Sequence, residues 1–75
     1  MSRTDPYEQK VSNILKAELK RKGITYADLA DRLLNLGFAE KEVNIRNKLS
    51  RGKFSAAFLI KCLEAIEVNS LRLKN

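Results

Sequence analysis

Ile24-Thr25-Tyr26-Ala27-Asp28-Leu29-Ala30 carries the signals of a helix start. Thr25 can accept a hydrogen bond from the first-turn backbone, and Asp28 stands where a capping box usually has Glu or Gln. Ile24 precedes the cap, in position to staple onto Leu29. Leu29, Ala30, Leu33 and Leu36 recur at helical spacing until Gly37 ends the run. Only Gly23 and Ile24 separate this helix from the pattern before it, so the two meet at a sharp angle.

That preceding pattern opens on Asp5-Pro6-Tyr7-Glu8, an N-cap with proline at the first helical position and a carboxylate at the third. Val11, Ile14, Leu15 and Leu19 follow on one narrow stripe, which predicts a first helix from about Pro6 to Lys22. A third helix is predicted from about Ala39 to Ser50, without a side-chain cap but with Glu40 and Glu42 at its positive end. Its apolar content is thin: Phe38 leads in, and Ile45 and Leu49 share one face. Ser55 caps a fourth helix, whose Phe58, Leu59, Cys62, Leu63 and Ile66 form a wide apolar stripe and mark it as the central core helix. The tail from Val68 to Asn75, with Leu71 and Leu73 alternating with polar residues, fits a short helix, a strand or a frayed end. The fold class implied is all-α, a compact bundle of four to five short helices. It forms a single domain over 1–75, with its core at about 6–67.

The chain has 75 residues, 44% of them hydrophobic, which is enough for one domain at most. One cysteine, Cys62, and no histidine leave no intrachain disulfide, no Cys/His zinc site and no histidine base. Cys62 lies inside the core stripe and is read as packing; a free thiol suits a reducing, cytoplasmic setting. No apolar run reaches the ~18 residues a membrane span needs, and no secretory signal is visible. The formal net charge is +6. Lys16, Lys20, Arg21 and Lys22 outweigh Glu18, and Lys41, Arg46, Lys48, Arg51 and Lys53 outweigh Glu42. Charge gathered in two windows suggests a polyanionic partner.

Four short helices with a well-capped second and a polar, basic third suggest a helix-turn-helix domain. Thr25-Tyr26-Ala27-Asp28-Leu29-Ala30 resembles the opening of the second helix in Cro and phage-repressor-like domains. Leu36-Gly37-Phe38-Ala39 is similar to that family's turn, Leu49-Ser50-Arg51-Gly52-Lys53 to the close of its recognition helix, and Phe54-Ser55 onward to its fourth helix. The span from Ile14 to Ile66 resembles, more closely, a small uncharacterised bacterial domain family of the same fold. The chain departs from the common pattern in having Leu34 where the turn glycine falls and Gly37 three residues later. The interval from Gly37 to Gly52 is also longer. An extra turn is therefore expected at the end of helix two and another in helix three. The resemblance implies sequence-specific binding of double-stranded DNA by a small transcriptional regulator, a repressor-like protein that works as a homodimer.

With Phe38, Ile45 and Leu49 inward, the outward arc of the third helix holds Glu40, Val43, Asn44, Asn47, Ser50 and Arg51. Asn can pair bidentately with adenine, Arg with guanine, and Val can touch a thymine methyl. Lys41, Arg46 and Lys48 on the flanks suit phosphates, as do Arg51 and Lys53 on either side of Gly52. Thr25 and Tyr26 open the second helix, where free backbone N–H groups attract a phosphate. Lys20, Arg21 and Lys22 are read as complementing a helix C-terminus. No nucleophile stands beside a base, no glycine-rich phosphate loop occurs, and Asp28 and Asp31 are explained by capping and solvation. No enzyme, cofactor or metal is expected. The rival reading is a protein-interaction module, antitoxin-like or a co-regulator, with Leu71 and Leu73 as the contact. A basic first helix lying on a membrane is the weakest reading, because its narrow stripe suits core packing.

Overall fold

The computed structural model describes residues 5–71 and 73. Among them are four helices and no strand: α1 (Pro6–Lys22), α2 (Tyr26–Asn35), α3 (Glu42–Arg51) and α4 (Ala56–Ala65). The Cα radius of gyration, 11.9 Å, is close to the ~11 Å of a folded domain this long.

Where the chain carries chemical punctuation, the helices begin and end at it. Asp5 accepts from the Tyr7 N–H at 2.8 Å, while Glu8 Oε1 accepts from the Asp5 N–H at 3.1 Å. These two bonds close a capping box around Pro6. Gly23, with φ of 68°, ends α1 by turning its N–H back to the Leu19 and Lys20 carbonyls. Thr25 and Asp28 form the reciprocal box at α2, and the Ser55 hydroxyl accepts from Phe58 at 3.0 Å to start α4.

α3 differs from the expected Ala39–Ser50 helix. It begins three residues later and runs to Arg51, capped by Gly52. Lys41, at its N-cap, makes no side-chain bond to the helix. Tertiary contacts set the onset instead. The Phe38 N–H bonds the Leu33 carbonyl at 2.9 Å and its side chain packs against the core, and residues 38–41 form no helix before Glu42. The extra residues lengthen the connection after Gly37, and the expected additional turn of α3 does not occur. α2 does continue past Leu34, to Asn35.

The core gathers Leu15 and Leu19 from α1, Leu29 and Leu33 from α2, Ile45 and Leu49 from α3, and Phe58, Cys62, Leu63 and Ala65 from α4, closed by Ile66. α2 packs on both α3 and α4, and α1 packs on α3. The buried side of α1 is more polar than its apolar stripe implied. Ser12 and Glu18 are buried, whereas Val11 and Ile14 are only half-buried. The Ser12 hydroxyl donates to the Leu49 carbonyl, tying α1 to the last turn of α3, and Glu18 pairs with Arg21. These partners explain why two polar groups can sit inside.

After α4, Glu67 takes a left-handed φ of 59° and the Val68 N–H returns to the Leu63 carbonyl at 2.9 Å. Residues 68–71 form no regular element, and Val68 and Leu71 lie against the core. Of the two leucines expected at an interchain contact, only Leu73 is exposed. Among the described residues, no helix is long and apolar enough to cross a membrane.

Candidate functional site

α3 buries two side chains, Ile45 and Leu49, both fully. At 100° per residue, their opposite face holds Val43, Asn47 and Arg51, bordered by Asn44 and Ser50. All five are exposed. Among the described residues, no side-chain hydrogen bond or ion pair engages Asn44, Asn47 or Arg51. The face carries no carboxylate. Glu40, expected on this arc, precedes the helix and pairs with Lys48 on its flank.

The flanking cations fall into three groups. Lys41 is exposed at the N-cap. Arg46 and Lys53 sit in exposed ion pairs, Arg46 with Glu42 at 2.7 Å and Lys53 with Glu8 at 3.6 Å. Pairs of this kind contribute about 0.2–1 kcal/mol and exchange readily for another anion. Lys48 is different. Its ammonium lies 3.1 Å from Glu40, whose side chain is only 20% exposed, and 4.4 Å from the centre of the Phe58 ring. Lys61 stands likewise 4.7 Å above Phe38. The connection before α3 is therefore held by one cation–aromatic contact, Lys61 on Phe38, and one ion pair, Glu40 with Lys48, while Lys48 on Phe58 ties α3 to α4.

Lys48→Ala is accordingly expected to lower stability by about 1 kcal/mol, from the lost ring contact and the stranded Glu40 carboxylate. Adding Glu40→Gln should recover part of that loss. Thermal unfolding of the two variants checks this, and equal losses in the single and double variants would contradict it.

At the start of α2, Thr25 is occupied as a cap, and Tyr26 is half-buried against the core. The Asp28 carboxyl is held below its usual range, first by the backbone N–H of Thr25 and then by the Thr25 side chain. This capping contribution is present at neutral pH and is lost as acid protonates the carboxylate. Lys16 and Lys20 line a shallow hollow with Thr25 and Tyr26. Their spacing by four residues in α1 was the available signal for that pairing. The neighbouring cations face other tasks: Arg21 pairs with Glu18, and Lys22 donates to the Glu67 carbonyl at 3.2 Å.

Cys62 is fully buried. Burial, and secondarily Glu40, push its thiol up to about 12, against a smaller opposing pull from Lys48. It therefore stays protonated and serves as packing. Among the described residues, no group of three His, Cys, Asp or Glu side chains is placed to hold a metal ion.

Residues 7–71 match a protein family described as a domain of unknown function, DUF6471. No curated protein and no solved structure matches the chain.

Proposed function

The chain belongs to the DUF6471 family, and on the chemistry of α3 we propose that it binds double-stranded DNA as a small regulator of transcription. One observation carries the reading. The outward face of α3 presents two amides, a guanidinium, a hydroxyl and a valine, with no carboxylate, on a helix that buries only two residues. A surface helix with so little apolar anchorage is suited to a groove whose walls are charged and whose floor is lined with hydrogen-bonding edges. Lys41, Arg46, Arg51 and Lys53 rim that face and supply phosphate contacts. Lys48 is engaged instead by Glu40 and Phe58. Thr25 and Tyr26, which line one hollow with Lys16 and Lys20, would meet a second stretch of backbone. The resemblance to Cro and phage-repressor-like domains supports the same assignment, with a dimer reading half-sites about one DNA turn apart in the cytoplasm of a bacterium.

Binding to mixed-sequence duplex should fall steeply with salt, and Arg51→Ala should reduce the slope of log K against log salt by about one. Asn47→Ala should leave that non-specific binding unchanged and cost ~1–3 kcal/mol on a selected site. Binding that is absent at low salt, or indifferent to salt, would overturn the proposal. The alternative, a protein-interaction module, rests on Leu34, Leu36 and Ile60, which are 61%, 49% and 52% exposed. Capture of a protein partner through those three side chains, by a chain that ignores DNA, would favour it.

A further inference from the structure

We infer that the site read by α3 contains adjacent or near-adjacent A·T pairs, with Val43 against a thymine methyl and Asn47 bonded to an adenine. The inference rests on the DNA-binding reading and deepens it to a class of sequence. Val43 is 50% exposed and is the one large apolar side chain on the outward face of α3. Nothing local asks for it there. Valine is a poorer helix former than alanine, and an exposed isopropyl group gains nothing from water. A single such side chain among amides is too small a patch to dock a protein. It does match the C5-methyl of thymine, the one apolar group a base pair offers in the major groove.

Val43 also lies in the first turn of α3, and in helix-turn-helix complexes the N-terminal residues of the recognition helix meet base edges. Asn47 follows one turn later on the same face, about 6 Å farther along the axis. That rise corresponds to one or two base-pair steps. An outward amide with no partner among the described residues can accept from adenine N6 and donate to N7 at once. No carboxylate on the face is available to accept from cytosine N4. The two side chains thus recognise different groups of the same kind of base pair.

The experiment is selection of sites from random duplex DNA, followed by replacing each thymidine of the selected site with deoxyuridine, which removes only the methyl. At one position or more, the change should weaken the unmodified protein about fourfold and have no further effect on Val43→Ala. Val43→Ala should itself fold normally, since alanine favours an exposed helical position. Asn47→Ala should lose its preference for adenine at a neighbouring pair by roughly 5- to 150-fold. A selected site without A·T pairs, or a deoxyuridine effect equally large in Val43→Ala, would overturn the inference. Duplex binding with no sequence selected would also overturn it and leave DNA binding standing. No duplex binding at low salt would remove both.

Discussion

Gly52→Ala should destabilise the domain by about 2–4 kcal/mol and lower its melting temperature by roughly 10–25 °C. Two costs combine at this residue. Gly52 caps α3 with φ of 70°, a left-handed conformation that costs an L-residue about 1–2 kcal/mol. A Cβ there would also stand 2.8 Å from the Glu8 carbonyl oxygen and 3.0 Å from its carbon. Both are backbone atoms in the first turn of α1, so no side-chain rotation relieves the overlap. Gly23 is the internal control. Its φ is 68°, yet a Cβ added to it meets nothing within 4 Å. Gly23→Ala should therefore cost only the conformational part, and the difference between the two variants reads the contact of α3's end with α1. Equal losses on denaturant titration would show that the close approach contributes nothing.

Leu49→Ala is expected to cost about 3–5 kcal/mol, a large share of the total for a chain of this length. Leu49 is fully buried, and its carbonyl also receives the Ser12 hydroxyl. Because α3 has only Ile45 besides it to hold the helix down, the loss should fall unevenly. Amide exchange should rise across 42–51 before it rises in α4, which buries Phe58, Cys62, Leu63 and Ala65 where α3 buries only two side chains. Uniform acceleration throughout the chain would argue that α3 is not a separately weak element. Under the proposed DNA-binding function, affinity should drop with the population of ordered α3 and recover on cooling, unlike the loss expected from Asn47→Ala.

The parts of the fold that could be read from sequence are those whose cause is local. Asp5, Pro6 and Glu8 fix the start of α1, and Thr25 and Asp28 fix that of α2, because each cap is closed within three residues. Ile45 and Leu49, one turn apart, suffice to say which face of α3 is turned outward, and Val43, Asn44, Asn47 and Arg51 on it are exposed. What escaped has causes distant along the chain. The onset of α3 depends on Phe38 packing into the core beneath Lys61 and on Glu40 turning to Lys48. Lys48 reads as a flanking cation until Phe58 is brought beneath it. Ser12 looks like any polar helical residue until the Leu49 carbonyl arrives beside it.

The same distinction governs function. The face of α3 is a local property, and its use as a groove reader is the proposal that the rest depends on. Titrating a duplex selected from random DNA into the isotopically labelled domain, followed by amide NMR, tests it most directly. Shifts should concentrate at Val43, Asn44, Asn47, Ser50 and Arg51, including the side-chain amides of both asparagines, with the buried residues of α4 undisturbed. Shifts centred instead on Leu34, Leu36 and Ile60, or none anywhere, would contradict it.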